Sequence, residues 1–194
     1  GSEKWRYKIR KGTSYPAYPP AIGPDGTIYV GSQSPPNEYG DALSGAIFAV
    51  NQDGSLKWKY TLDTFNFATP AIAPDGTIYA AGNNLYAITS TGKLKWKKIL
   101  SGGILTSLAI GMDGTVYFGD YNDTIHAIST DSSIKWSVPI QKSTDGGAPS
   151  LHSVLPSIGS DGTIYFRSRA GLYAINPDGS VKWKTASFDE PIGS

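Results

Sequence analysis

Residues 70–97 read PAIAPDGTIYAAGNNLYAITSTGKLKWK, and this stretch decides the fold because each of its parts recurs along the chain. It contains four short segments of apolar, β-branched and aromatic residues, which half-buried strands prefer. Pro74-Asp75-Gly76 separates the first two segments. Proline presets φ for a turn, and glycine accepts the positive φ that returns the chain to a strand. The stretch therefore predicts four short antiparallel strands, named A to D below.

The same series of signals occurs four times, and its most visible mark is a Lys-Trp pair that recurs at intervals of 38 to 53 residues. The pairs end at Trp5, Trp58, Trp96, Trp136 and Trp183. Four-stranded units of about 40 to 45 residues are typical of β-propellers. We therefore predict an all-β protein, a β-propeller built of four-stranded antiparallel blades. Residues 1–194 form a single repeat array, with repeats at approximately 11–59, 60–98, 99–137 and 138–184 and the start of a fifth at 185–194.

Strand D alternates lysine and tryptophan, as in Lys57-Trp58-Lys59. A period of two puts the tryptophan on one face of the sheet and both lysines on the other. Lysine on an edge strand also opposes edge-to-edge aggregation. We therefore expect strand D to be the outer strand of each blade, with its tryptophan packed against a neighbouring blade. The five tryptophans are predicted to be structural blade-docking residues.

Composition narrows the range of functions. The net charge of +1 and the sequence pI of about 8.0 argue against a nucleic-acid partner. There is no cysteine, so disulfides and thiolate chemistry are excluded. No apolar run approaches the roughly 18 residues of a membrane helix, so no membrane span is expected.

The repeat resembles a known family. Pro-Ala-Ile-x-Pro-Asp-Gly-Thr-Ile-Tyr, Leu-Tyr-Ala-Ile-Asn-x-Asp-Gly and Leu-Lys-Trp are similar to the pyrroloquinoline-quinone-like (PQQ-like) β-propeller repeat. The segment from Gly92 to Trp96 looks like the tryptophan-docking motif of that family. The resemblance extends from Lys4 to Lys184. Members of the family usually have more than four blades, so it implies that the array is part or half of a larger ring, and a homodimer could complete that ring.

The resemblance leaves three classes of function open, because the family includes quinoprotein dehydrogenases, a bacterial outer-membrane assembly lipoprotein and many exported proteins. The first is a non-catalytic scaffold that recognises a protein, cell-wall or carbohydrate partner. The second is a fragment of a PQQ-dependent oxidoreductase, and the third is a structural spacer array in a larger exported protein. The cysteines and acidic cluster that stand beside the cofactor in the dehydrogenases are missing. We therefore favour the scaffold, without enzyme activity or cofactor, in the bacterial periplasm or outside the cell.

The variable loops are the predicted ligand-binding surface. The A–B and C–D turns are short and uniform, whereas the B–C and D–A loops differ in length and share the opposite face. Function usually lies on such loops over a rigid scaffold. The candidate ligand-binding residues on this face are Glu38, Tyr39, Asp41, Phe65, Phe67, Tyr121, His152 and Arg169.

Metal binding and catalysis have little support in the sequence. The turn aspartates lack the later ligands of a calcium loop, so turn chemistry explains them better. The segment Gly119 to Asp123 is richer in oxygen ligands, but a tight B–C turn also explains it. His126 occupies an aromatic position of strand C, so packing is its expected role. No Ser/Cys–His–acid group with a plausible placement on the loops is visible, and no metal site is predicted.

Overall fold

A computed structural model describes residues 1–7, 18–33, 45–63, 68–140, 151, 156–168 and 171–185. Within these ranges, sixteen strands form four four-stranded sheets in which all pairing is antiparallel, and no helix is present. The prediction of an all-β protein with four-stranded antiparallel units is confirmed. The chain divides into two compact units, Gly1–Leu100 and Ser101–Ser194, and each unit contains two of the sheets.

The first unit contains the first and second repeats. The first repeat consists of β1 (Ala21–Ile22), β2 (Ile28–Gln33), β3 (Gly45–Val50) and β4 (Leu56–Thr61). The second repeat consists of β5 (Ala71–Ile72), β6 (Ile78–Ala81), β7 (Asn84–Ile88) and β8 (Leu94–Ile99). In both sheets each strand pairs with the next one in the chain, so the strand order is A-B-C-D.

The second unit contains the third and fourth repeats. The third repeat consists of β9 (Ala109–Ile110), β10 (Val116–Gly119), β11 (Thr124–Ile128) and β12 (Ile134–Pro139). The fourth repeat consists of β13 (Ser157–Ile158), β14 (Ile164–Ser168), β15 (Gly171–Ile175) and β16 (Val181–Lys184). The order A-B-C-D is the same, so the A–B and C–D turns lie at one end of each sheet and the B–C connections at the other.

The A–B turns are closed by an aspartate side chain. In the first repeat the N–H of Gly26 donates to the carbonyl oxygen of Gly23 at 2.9 Å, and Gly26 has a φ of 77°. Asp25 Oδ1 accepts the N–H of Thr27 at 3.0 Å, and Oδ2 accepts its hydroxyl at 2.8 Å. The other three repeats have the same contacts, at Asp75, Asp113 and Asp161. Local turn chemistry therefore explains these aspartates.

The first lysine of strand D reaches back across the sheet to this turn. Lys57 Nζ lies 2.9 Å from Asp25 Oδ2 and 2.8 Å from Thr27 Oγ1. The same ion pair recurs in the other repeats, as Lys95–Asp75, Lys135–Asp113 and Lys182–Asp161. The pairs are partly exposed, so solvent screens them and each adds little to stability.

The other face of each sheet carries an aromatic pair. In the first repeat Tyr29 of β2 and Trp58 of β4 both stand opposite Ala49 of β3, and their ring centroids are 5.8 Å apart. Alanine in the middle strand leaves room for the two rings to meet across it. The other pairs are Tyr79–Trp96, Tyr117–Trp136 and Tyr165–Trp183, at 5.7, 5.7 and 6.0 Å. Such pairs add about 0.5–1.5 kcal/mol beyond burial.

The hydrophobic core of each unit lies between its two sheets. In the first unit Tyr29 and Ile47 of the first repeat pack with Ile78 and Tyr86 of the second. In the second unit Tyr117 and Ile125 pack with Ile164, Phe166 and Tyr173. A single sheet cannot bury both of its apolar faces, so adjacent repeats stabilise each other.

Three tryptophans also make one recurrent contact with the C–D turn of the following repeat. Their indole N–H groups donate to backbone carbonyl oxygens, in the pairs Trp5–Gln52 at 2.7 Å, Trp58–Ser90 at 2.9 Å and Trp136–Pro177 at 2.9 Å. A glycine of positive φ lies two residues after each acceptor, at Gly54, Gly92 and Gly179. A Cβ on these glycines would lie 2.6–2.8 Å from the indole ring. Glycine is therefore favoured at each position for two reasons: it adopts the positive φ of the turn, and it has no Cβ to clash with the indole ring.

Candidate functional site

Most of the predicted ligand-binding residues cannot be located. Glu38, Tyr39, Asp41, Phe65, Phe67, His152 and Arg169 lie outside the described residues, so these predictions remain predictions. Tyr121 is described, and 46% of its surface is exposed. It lies in the B–C turn of the third repeat, Asp120–Asp123, which we call the Tyr121 turn. This turn is the part of the predicted surface for which the structure gives a geometry.

Asp120 organises the Tyr121 turn from within. Its Oδ1 accepts the backbone N–H groups of Asn122 at 2.9 Å and Thr124 at 2.8 Å. Its Oδ2 lies 3.1 Å from Nε2 of His126. Burial raises the pKa of the Asp120 carboxyl, but the contacts with His126, Thr124 and Asn122 outweigh burial, so the pKa lies below its ordinary value. Asp120 is therefore an ionised group inside the turn. Its carboxylate is buried, so it is not available to a ligand that approaches from solvent.

The preceding D–A connection supports the same turn. The N–H of Tyr121 donates to the carbonyl oxygen of Gly102 at 3.3 Å, and the N–H of Leu105 donates to that of Gly119 at 2.9 Å. A Cβ on Gly102 would lie 2.6 Å from the Asn122 amide nitrogen and 2.7 Å from Asp120 Oδ2. Any larger residue at position 102 would have to displace the Asn122 and Asp120 side chains, so glycine lets the two segments approach closely.

Asp123 fixes the other end of the turn. It is buried and has a φ of 58°, a left-handed conformation that aspartate tolerates better than most residues. Its Oδ1 accepts the N–H of Leu151 at 3.2 Å, and its carbonyl oxygen accepts the N–H of Ile140 at 2.8 Å. The turn therefore presents the Tyr121 side chain to solvent on a backbone that is held at both ends.

His126 connects the turn to strand D. Its Nδ1 lies 2.8 Å from the hydroxyl oxygen of Ser137 in β12, and its ring lies 5.2 Å from that of Phe118. His126 therefore packs as expected, but it also joins Ser137 and Asp120 in one hydrogen-bonded chain, which the sequence analysis missed. A signal was available, because the third repeat has His126 and Ser137 where the second has Tyr86 and Lys97.

In the described part of the molecule, this Ser–His–Asp chain links strand D to the Tyr121 turn. Nucleophilic catalysis needs a positioned substrate and donors for the developing oxyanion, in addition to a serine, a histidine and an acid. Here Ser137 lies on the outer strand of the blade, and the histidine holds the turn through Asp120. The described residues contain no group of three or more His, Cys, Asp or Glu side chains that could hold a metal ion.

A groove of about 620 Å³ lies at the opposite end of the second unit, between the A–B turns of the third and fourth repeats. Ile110, Met112 and Ile158 are among the side chains that line it. Asp113 and Asp161 at its rim are ion-paired with lysines of their own sheets. Their negative charge is thus neutralised within the protein, which leaves the groove mainly a hydrophobic surface.

A family model for the outer membrane protein assembly factor BamB matches residues 43–194, which is most of the chain. The chain belongs to this family. The resemblance to PQQ-like propeller repeats is thereby confirmed, and the propeller fold agrees with the solved structures that follow.

The BamB-like chain has similar solved structures at low sequence identity. BamB from Moraxella catarrhalis matches with a TM-score of 0.63 and 17% identity, over 86% of this chain and 48% of that one. A protein of unknown function from Bacteroides caccae matches with a TM-score of 0.57 and 17% identity, over 88% of this chain and 67% of that one. At this identity the likeness concerns the fold alone.

One curated sequence is more similar over a shorter stretch. The uncharacterized protein YxaL of Bacillus subtilis (strain 168) is 41% identical over 61 residues, which are 31% of this chain and 13% of YxaL. The BamB-like chain thus spans about half of the Moraxella protein and a small part of YxaL. Within the ranges that the structure describes, no helix is long and hydrophobic enough to cross a membrane.

Proposed function

We propose that this BamB-like chain is a non-catalytic scaffold that recognises a protein partner through its B–C and D–A face, in the bacterial periplasm or outside the cell. The family supports a protein partner, because BamB is by name an assembly factor for outer membrane proteins. The single observation that carries the proposal is the Tyr121 turn, in which an exposed tyrosine stands on a hydrogen-bonded backbone.

The chemistry of this turn suits recognition of a protein. Tyrosine supplies a large amphipathic contact surface with only two side-chain torsions to restrict, so little conformational entropy is lost on binding. The buried Asp120 and Asp123 hold the backbone before any partner arrives, which lowers the cost of association further. Exposed aromatic residues of this kind are frequent among the residues that dominate protein interfaces.

We propose in addition that the strand D tryptophans serve as the docking residues that join successive blades. The contacts of Trp5, Trp58 and Trp136 with the following turns support this role. The role is structural, so it leaves the B–C and D–A face available for a partner. A rigid array of blades with variable connections is the arrangement that a binding scaffold requires.

Photo-crosslinking tests the proposal at the Tyr121 turn. A photoreactive amino acid placed at Tyr121 is expected to trap a defined protein from the envelope fraction of a bacterium that expresses this chain. The same amino acid placed at Met112, which is 93% exposed on the opposite face, is the matched control and should not trap that protein. Purified partner should then bind Tyr121→Ala about 10-fold or more weakly than wild type, and Met112→Ala equally well.

Three results would contradict the proposal. If the partner binds Tyr121→Ala as tightly as wild type, the turn is not the recognition surface. If the chain binds pyrroloquinoline quinone with Ca²⁺ and then oxidises alcohols in a dye-coupled assay, it is an oxidoreductase and the scaffold assignment fails. A glycan array provides the remaining comparison, since carbohydrate binding that depends on Tyr121 would replace the protein partner.

A further inference from the structure

The groove between the A–B turns of the third and fourth repeats, called the A–B groove below, is a second concave surface of the second unit. Its volume of about 620 Å³ is that of a small-molecule site, since such sites occupy about 300–1,000 Å³. Ile110, Met112, Ile158 and Pro177 are among the residues that line it. The A–B groove lies at the end of the sheets opposite to the Tyr121 turn, so the two surfaces do not overlap.

The charges at the rim of the A–B groove are balanced within the protein. Asp113 Oδ2 lies 3.0 Å from Lys135 Nζ, and Asp161 Oδ2 lies 3.0 Å from Lys182 Nζ. Each carboxylate also accepts the N–H and hydroxyl groups of the threonine two residues later. An ion that entered the groove would lose water without gaining an unpaired opposite charge, which costs free energy. The A–B groove therefore favours a neutral ligand.

The two turns at the A–B groove also carry backbone donors that the first unit lacks. The residue before Asp-Gly is Pro24 in the first repeat and Pro74 in the second, and proline has no N–H. The third and fourth repeats have Met112 and Ser160 at this position. Within the described residues, neither of their N–H groups donates a hydrogen bond. Both residues line the groove, so each of its two turns offers a donor to a ligand.

We propose that the A–B groove binds a neutral small molecule with an apolar body and a hydrogen-bond acceptor. The body contacts Ile110 and Ile158, and the acceptor receives the N–H of Met112 or Ser160. The Met112 side chain is 93% exposed, and an unbranched thioether adapts its shape to an apolar ligand. This small-molecule site goes beyond the proposed recognition of a protein partner.

Equilibrium dialysis of the 194-residue chain against three probes that share one ring system tests the proposal. The probes are 2-acetonaphthone, which is neutral and has a carbonyl acceptor, naphthalene, which has no acceptor, and 2-naphthoate, which is charged. The ketone should bind about 5-fold more tightly than naphthalene, because it gains one hydrogen bond. General hydrophobic adsorption would favour naphthalene instead. The naphthoate should bind more weakly than the ketone, because the rim offers no unpaired cation.

Proline variants identify the donors. Met112→Pro/Ser160→Pro removes both N–H groups but keeps the turn, since Pro24 and Pro74 occupy the same position in turns with the same closing hydrogen bond of 2.9 Å. This double variant should lose the preference for the ketone over naphthalene. Met112→Ala/Ser160→Ala is the matched control, because it removes the same side chains and keeps both N–H groups. It should retain the preference.

The proposal is overturned if 2-acetonaphthone does not bind the wild type saturably, or if the proline and alanine double variants prefer the ketone equally. Tighter binding of 2-naphthoate than of the ketone would identify an anion site and also contradict it. Loss of ketone binding in Tyr121→Ala would place the ketone at the Tyr121 turn, with the same consequence. Circular dichroism establishes that each variant is folded, and the single proline variants decide if the double variant is not.

Discussion

The second and third repeats use the same scaffold positions for different polar groups. In the second, Lys97 Nζ lies 2.6 Å from Asp63 Oδ2, Tyr86 donates its hydroxyl to the same carboxylate, and the Asp63 side chain is 58% exposed. In the third, His126 occupies the strand C position of Tyr86 and contacts Asp120 of the B–C turn, and these two side chains are only 14% and 7% exposed. The second repeat thus has a solvated ion pair, whereas the third has a buried hydrogen bond between a histidine and a carboxylate.

This difference shows how a repeated fold creates a unique site. Burial makes a polar contact structurally demanding, because removal of one partner leaves the other without its hydrogen bonds and without water. The buried contact of the third repeat therefore fixes the Tyr121 turn, while the exposed contact of the second can vary at little cost. The proposed recognition residue stands on the turn that has the buried acid.

The largest effect is expected from removing Asp120, and the separate removal of Asp63 is its comparison. Asp120→Ala leaves the Asn122 and Thr124 N–H groups and His126 without the carboxylate that they contact, and the loss of these hydrogen bonds should lower the free energy of unfolding by about 4 kcal/mol. Asp63→Ala removes an exposed ion pair and one acceptor of the Tyr86 hydroxyl, and it should cost less, about 2 kcal/mol. Urea unfolding measures both values. Equal losses in the two variants would mean that burial does not distinguish these repeats.

The second comparison concerns glycines of the second repeat. Gly92→Ala places a Cβ 2.8 Å from the Trp58 ring at a φ of 83°, so strain and overpacking together should cost about 3 kcal/mol. Gly76→Ala is the matched control, because Gly76 has a φ of 79° and its nearest neighbouring atom is 3.9 Å away. It should cost about 1 kcal/mol, from backbone strain alone. A thermal unfolding series that gave the same loss for both would argue against the Trp58 contact.

Acid should affect the third repeat through Asp120. The pKa of this carboxyl lies below its ordinary value of 3.8, so the ionised form stabilises the folded state above that pH, and the contribution is lost as the pH falls below it. The stability of Asp120→Asn, measured from pH 6 to pH 2, should therefore fall less steeply below about pH 4 than that of wild type. Asp63→Asn is the comparison from the second repeat: Lys97 and Tyr86 also lower the pKa of Asp63, but solvent screens this exposed group, so the change in its profile should be smaller.

The smallest effect is expected at the C–D turn of the third repeat. Ser132 adopts a φ of 74° where the second repeat has Gly92 with a φ of 83°. Ser132→Gly relieves the strain of a side chain in the left-handed region, and it should raise the free energy of unfolding by about 0.5 kcal/mol. Ser133→Gly, one residue later and without a positive φ, should instead lower it slightly. A loss of stability in Ser132→Gly would indicate that the serine side chain contributes more than its backbone costs.

The fold could be predicted almost completely from the sequence, but the candidate site could be predicted only in part. Tyr121 was found as an exposed residue of a B–C turn, because the repeat pattern locates the turns. The acids that hold the turn were interpreted as generic turn residues, and the chain from Ser137 through His126 to Asp120 was missed. Residues 120, 126 and 137 are separated along the chain, and only strand pairing brings them together.

The amino-acid sequence by itself determined the strands, the turns and their fourfold repetition, because these features depend on residues that are close in the chain. A Pro-Asp-Gly turn or an alternating Lys-Trp-Lys strand carries its own conformational preference. Only the tertiary structure decided which side chains meet: Lys57 with Asp25, Trp58 with the turn before Gly92, and His126 with Asp120. These contacts depend on the register between strands and on the packing of one sheet against the next, and both are set by distant parts of the chain.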